Sequence, residues 1–279
     1  MTRIVAALAM LALVAACGSD TGDTAPPATT AAPTLAPPPT TPPPTTTAPT
    51  PTSMPPEAPP GQLLVVGDSI AGQLYWALDQ RSRVRGGPEV RYLLTAGPAF
   101  SQDWPEPLPD FVTDPADTAV IVSFGVWHAS PPEPVAHLVD GASAGHDDTV
   151  AFLGPIAELG TWRAEVHLLA DIDDPEADAR IQQVNADISR AATEVGLPVH
   201  HLLSGGDGDQ PARVHVGDVS LPVRNGADAT HFCAAAALVM ADQMLDDLRV
   251  PASAVTLADL DDLLDATRDT SYFTADGCS

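Results

Sequence analysis

The stretch that decides the fold is Leu63-Leu64-Val65-Val66-Gly67-Asp68-Ser69-Ile70. Four large apolar residues in a row read as a strand covered on both faces rather than as one side of an alternating strand. Gly67 ends the run, and a helical pattern over 71–80 follows. A serine at that junction lies at the carboxyl edge of a sheet, beside the free N–H groups of a helix N-terminus. Such a turn presents a hydroxyl as a nucleophile and offers N–H groups to a developing oxyanion. Asp-Ser before a helix is equally an ordinary N-cap. The tetrapeptide alone therefore does not decide the chemistry.

Outward from this turn, apolar runs alternate with helical patterns. Strands are expected over 63–66, 90–94, 119–124, 165–170 and 199–203, all rich in Val, Leu and Ile. Helices are expected over 71–80, 148–159, 175–195, 233–248 and 257–267. Pro175 suits a first helical turn, with Asp174 capping before it. Gly196 followed by Pro198 suits a helix stop. The alternation predicts an α/β fold with a parallel sheet between helical layers. Ligands of such sheets bind at the carboxyl ends of the strands. No internal repeat is present.

The chain has 279 residues and a formal net charge of -25, and its 12 basic residues are all arginine. Nucleic acid binding needs clustered cations, so that partner is not expected. Electrostatic docking on anionic lipid is disfavoured for the same reason. Met1-Thr2-Arg3 is a short basic start, and 4–16 form an apolar run too short to span a bilayer. Residues 1–16 read as a signal peptide. The end of that run, Val14-Ala15-Ala16-Cys17, resembles a bacterial lipoprotein lipobox. The resemblance implies lipidation of Cys17 and an extracytoplasmic chain anchored to the outer face of the cell membrane. Two acyl chains anchor stably where one does so marginally. Outside the membrane a disulfide persists, so the remaining Cys233 and Cys278 are expected to pair, the alternative being two free thiols.

Residues 17–60 form the next part. Within 21–60 stand 15 Pro and 12 Thr and almost no large apolar side chains. Such sequence cannot bury enough surface to offset its ordering entropy. It favours extended polyproline II and acts as a semi-rigid spacer. Its threonine runs are also candidates for O-linked sugars. Residues 61–279 then suit one domain.

Near the C-terminus, Asp228-Ala229-Thr230-His231 supplies the two residue types a serine nucleophile needs. A histidine takes the serine proton when a carboxylate holds its other nitrogen. The chain order Ser69, Asp228, His231 is more specific than any of the three alone. Elsewhere, His200-His201 lack a third clustered ligand for zinc. The acidic run 171–174 and the Gly/Asp run 205–209 read better as loops than as cation sites. No metal and no cofactor are expected.

Gly67-Asp68-Ser69 and Asp228-Ala229-Thr230-His231 together resemble the first and last blocks of the SGNH/GDSL hydrolases. The resemblance spans roughly 63–248. It implies a three-layer α/β/α sandwich with a flavodoxin-like parallel sheet. It also implies catalytic roles for Ser69, Asp228 and His231, and an oxyanion N–H donor at Gly97. The third block departs from the family pattern: Gly125-Val126-Trp127-His128 has Trp127 where the family carries an asparagine oxyanion donor. In this the chain is similar to SGNH domains attached to membrane acyltransferases. That likeness implies action on O-acyl groups, above all O-acetyl, of surface glycans or small esters, with Trp127 contacting the substrate. Water as acceptor gives an esterase and a sugar hydroxyl gives a transferase. The alternative is a binding or scaffold lipoprotein of the cell wall that keeps the fold without the activity.

Overall fold

The computed structural model describes residues 58–95, 104–125, 145–169, 175–202, 212–224 and 231–270, together with Phe273 and Cys278. All belong to the unit Thr52–Ser279. Cys17, Gly97, Trp127, His128, Asp228, the acidic run 171–174 and the run 205–209 lie outside the described residues.

Five parallel strands form the main sheet in the order β2-β1-β3-β4-β5. They are β1 (Gln62–Gly67), β2 (Glu89–Leu94), β3 (Thr118–Ser123), β4 (Arg163–Leu168) and β5 (Val199–His201). This is the flavodoxin-like order, and the expected sandwich with helices on the sheet is what the chain adopts. Strands β1 and β3 are buried along their whole length. That is why both read as continuous apolar runs rather than alternating ones. Strand β2 is an edge and mixes exposed and buried positions.

The helices are α1 (Ser69–Arg85), α2 (Leu108–Phe111), α3 (His146–Glu158), α4 (Pro175–Val195), α5 (Ala234–Asp247) and α6 (Leu257–Ala266). Helices α1, α5 and α6 pack on one another, and α3 packs on α4. Helix α1 runs well past the expected residue 80, to Arg85. Its last turn is held because Arg81 and Arg85 point inward, and Gly86 closes it in the left-handed conformation. Helix α6 starts with a capping box between Thr256 and Asp259. A two-stranded hairpin, β6 (Arg213–Val216) and β7 (Val219–Pro222), was not expected from the sequence. Its signal is the two-residue Gly217-Asp218 connection between apolar residues, with Gly217 at φ 58°.

Helices α1, α5 and α6 meet around two arginines whose side chains have no exposed surface. Arg81 donates through Nε and Nη2 to Asp242 Oδ1, at 3.0 and 2.8 Å, and its Nη1 lies 3.0 Å from Asp259 Oδ1. Arg85 donates to the Pro251 and Asp242 carbonyls at 2.6 and 2.9 Å, and pairs with Asp242 and Asp246. A disulfide joins Cys233, immediately before α5, to Cys278, with Cα atoms 5.5 Å apart.

A second buried polar group sits on β4 and β5. Glu165 accepts from His167 at 2.8 Å, pairs with Arg163, and lies 3.5 Å from His200, whose ring stacks on His167 at 5.3 Å between centroids. Burial pushes the Glu165 carboxyl up. The His167 hydrogen bond and charge, with Arg163 and His200, outweigh burial and hold it below its ordinary range. Burial holds His200 below its ordinary range against the pull of Glu165. Among the described residues, no group of three or more His, Cys, Asp or Glu side chains could hold a metal ion.

Two stability predictions follow from these clusters. Removing one partner of a buried ion pair strands the other charge, which costs about 3–5 kcal/mol. Asp242→Ala is therefore expected to lower the urea unfolding free energy by roughly that amount, and a loss below ~1 kcal/mol would contradict the assigned network. The second concerns pH. Both Glu165 and His200 have folded pKa values below their unfolded ones, so between the two values the unfolded chain binds more protons. Stability from His200 is present above about pH 6.5 and is lost as pH falls through its folded value; that from Glu165 is lost further down, below about pH 4.5. The urea midpoint should fall on acidification from about pH 6.5, and Glu165→Gln should flatten the lower part of the fall. A wild-type midpoint that does not fall relative to Glu165→Gln at the acid end would refute the sign.

Candidate active site

Strand β1 ends at Gly67, whose φ is 149° and where a Cβ would overlap the Ser123 carbonyl oxygen of the neighbouring strand. Only glycine allows β1 and β3 to stay that close while the chain turns into α1. Asp68 is the N-cap: its Oδ1 accepts the Ile70 N–H at 3.0 Å. Ser69 is the first helical residue, so its N–H has no intrahelical acceptor. The first helical bond runs from the Gly72 N–H to the Asp68 carbonyl, at 2.9 Å.

Ser69 and His231 are 162 positions apart in sequence, yet Ser69 Oγ lies 2.9 Å from His231 Nε2. Both residues are half-buried. This is the nucleophile–base separation that a serine hydrolase requires. At that distance Nε2 accepts the hydroxyl proton when the imidazole is neutral with its proton on Nδ1. Of the residues expected at the site, the structure brings these two together. Gly97, Trp127 and Asp228 lie outside the described residues, and their roles remain expectations of the sequence. His200 and His201 lie on β5, and His200 belongs to the Glu165 cluster.

Several supports of the site were not foreseen. Asp68 is 1% exposed and uses both carboxylate oxygens: Oδ2 accepts the Gly125 N–H at 2.9 Å. The turn after β1 is thereby tied to the turn after β3. Gly125 has φ 117°, and a Cβ there would come within 2.8 Å of Val184 Cγ1 on α4. Tyr92 on β2 donates its hydroxyl to the Asp68 carbonyl at 2.8 Å and stacks on Tyr75 of α1. Gln73, fully buried one turn below Ser69, pairs with the backbone of Phe232, the neighbour of His231. The N-cap was legible from Asp-Ser before a helix. The tyrosine and glutamine contacts had no local signal, because each partner comes from a remote part of the chain.

The double use of Asp68 makes a specific prediction. Asn is as good an N-cap as Asp, but its single acceptor oxygen cannot serve both the Ile70 and Gly125 N–H groups. Asp68→Asn should lower the unfolding free energy by about 1–3 kcal/mol, the cost of one stranded buried donor. Unchanged stability by urea titration would show that the link to Gly125 is not held by the carboxylate.

No family model and no curated protein matches this chain. Among solved structures, the chain is similar to a lipolytic protein of the G-D-S-L family from Desulfitobacterium hafniense, at 16% identity and a TM-score of 0.42, over 68% of this chain and 99% of that one. It is similar to an acetylxylan esterase from Geobacillus stearothermophilus at 12% identity and a TM-score of 0.47, over 68% and 95% of the two chains. A GDSL-like lipase from Bacteroides thetaiotaomicron is similar at 11% identity and a TM-score of 0.43, over 68% and 88%. The first of these is named for the G-D-S-L family, the second is an acetylxylan esterase and the third is GDSL-like.

Proposed function

We propose that this chain is an SGNH-type serine ester hydrolase of the cell envelope, acting on O-acyl groups of surface glycans or on small esters. The observation that carries the reading is the 2.9 Å contact between Ser69 Oγ and His231 Nε2 at the carboxyl edge of the sheet. Ser69 Oγ attacks the ester carbonyl carbon while His231 Nε2 takes its proton. The tetrahedral oxyanion forms beside the N–H of Ser69, which the helix leaves free. His231 returns the proton to the leaving alcohol, and the acyl group stays on Ser69 as an ester. A water then gives its proton to His231 and attacks the same carbonyl; the bond to Ser69 Oγ breaks, Oγ takes the proton back from His231, and the acid leaves. A sugar hydroxyl in the place of water makes the second half a transfer instead.

In this reading Asp228 orients His231, Gly97 adds an oxyanion N–H, and Trp127 contacts the substrate. The acyl group we assign is acetyl, and its carrier a neutral glycan, since a chain of net charge -25 repels a polyanion. Cys17 carries the lipid, and the Thr/Pro-rich segment spaces the domain from the membrane.

The test uses the full chain expressed in a bacterial host that processes lipoproteins. A fluorophosphonate probe should label the wild type and fail to label Ser69→Ala and His231→Ala. Turnover of p-nitrophenyl acetate should drop by roughly 10⁴-fold or more in the serine variant. The labelled protein should sediment with membranes, and Cys17→Ala should move it to the soluble fraction. A folded wild type that does not label would overturn the esterase reading in favour of a scaffold that keeps only the fold. Label in the soluble fraction of the wild type would remove the anchor.

A further inference from the structure

We propose that Gln73 is the positioning residue of this site: it holds His231 in register with Ser69 by pairing with the backbone next to the histidine. The proposal rests on the esterase reading of the Ser69–His231 pair. Ser69 and Gln73 are four residues apart on α1, so they share a helix face and lie one above the other. The Gln73 carboxamide meets both backbone groups of Phe232. Its Oε1 accepts the Phe232 N–H at 2.9 Å, and its Nε2 donates to the Phe232 carbonyl at 2.9 Å. The helix and the histidine segment are thus joined like a ladder. The upper rung is Ser69 to His231, and the lower rung is Gln73 to Phe232.

The backbone of Phe232 has a reason to need this partner. Phe232 forms an isolated antiparallel bridge with Arg224, and the Cys233 N–H donates to the Val223 carbonyl at 2.9 Å. In that pattern the bonds flank the bridged pair, so the N–H and C=O of Phe232 itself point away from Arg224. Phe232 is 2% exposed, which keeps water from those groups. Gln73 stands where the next strand would, and its amide is the side chain that offers one donor and one acceptor together. On the other side, the Arg224 guanidinium sits 4.3 Å from the centre of the Phe232 ring. Residue 232 is fixed from both sides, and residue 231 inherits that placement through one peptide bond. A misplacement of about 1 Å at a catalytic base costs on the order of 10²-fold in rate.

The substitution Gln73→Glu separates positioning from plain packing. A neutral carboxylic acid accepts the Phe232 N–H and donates to the Phe232 carbonyl, as the amide does. Once ionised it keeps the first bond, loses the second, and faces the carbonyl oxygen with a charge. Burial and that oxygen both favour the neutral acid. The measurement is the rate constant for fluorophosphonate labelling of the full chain from pH 5 to 10, with the thermal midpoint recorded beside it. The wild type should rise with one ionisation and stay level. Gln73→Glu should rise to within a few-fold of the wild type and then fall at least tenfold on the alkaline side. Gln73→Met, which makes neither bond, should label 10- to 100-fold more slowly at every pH while still folded.

A folded Gln73→Met that labels within threefold of the wild type, or a Gln73→Glu profile shaped like the wild type, would overturn the proposal. If Gln73→Met does not fold, the shape of the Gln73→Glu profile decides by itself. If the wild type does not label, the esterase reading fails, and the positioning claim is decided by the ¹⁵N signal of the His231 ring. The hydrogen-bonded Nε2 signature should then be lost in Gln73→Glu at high pH as it is in Ser69→Ala. Its persistence would sink the claim independently of catalysis.

Discussion

Two arginines whose side chains have no exposed surface, Arg81 and Arg85, constrain the helices on their side of the sheet. A guanidinium does not lose its proton in a protein, so burial obliges it to find anions and carbonyls. Helix α1 carries both, one turn apart, and every partner lies on the C-terminal segments: Asp242 and Asp246 on α5, Asp259 on α6, and the carbonyls between them. Such pairs add little net stability, yet breaking one leaves an uncompensated charge. Sliding α5 along α1 would strand these charges, so one alignment is held against its neighbours. That alignment matters because α1 begins at Ser69 and α5 begins just after His231.

The opposite end of α1 is held by hydrogen bonds to backbone groups rather than by ion pairs. Gly67 lets β1 turn against β3, and Asp68 spends one oxygen on its own helix and the other on the turn after β3. Tyr92 adds a hold from the edge strand through the Asp68 carbonyl. Three strands therefore converge on the residue before Ser69. The hydroxyl comes from a turn held on several sides, while the imidazole it meets comes from a segment whose position depends on helix packing. Chemistry at this edge joins one locally encoded residue to one that is placed remotely.

The legibility of the sequence follows that division. Strands β1 and β3 were readable because strands buried on both faces cannot hide their apolar runs, β2, β4 and β5 from shorter apolar stretches, and the glycine before Asp68 marked the turn. Helix α1 was foreshortened because its last turn carries arginines, which by composition look solvated; only their burial against Asp242 shows them to be inward-facing. The hairpin at 213–222 escaped notice because two four-residue strands are weak signals even around Gly217-Asp218. The disulfide between Cys233 and Cys278 was readable from cysteine arithmetic, since a pair outside the membrane has few alternatives. Gln73 was not readable: a buried glutamine in a helix looks like any polar residue until its partner is known.

By itself, then, the sequence determined the parallel sheet, the serine at the end of its first strand and the histidine type and order behind it, because each is written in contiguous residues. The tertiary structure decided which groups touch. It brought Ser69 Oγ within 2.9 Å of His231 Nε2 across 162 positions, paired Gln73 with Phe232, and gave Asp68 a second partner at Gly125. Those contacts depend on how helices register on a sheet. Register is fixed by summed burial and charge pairing over many residues, not by any local pattern.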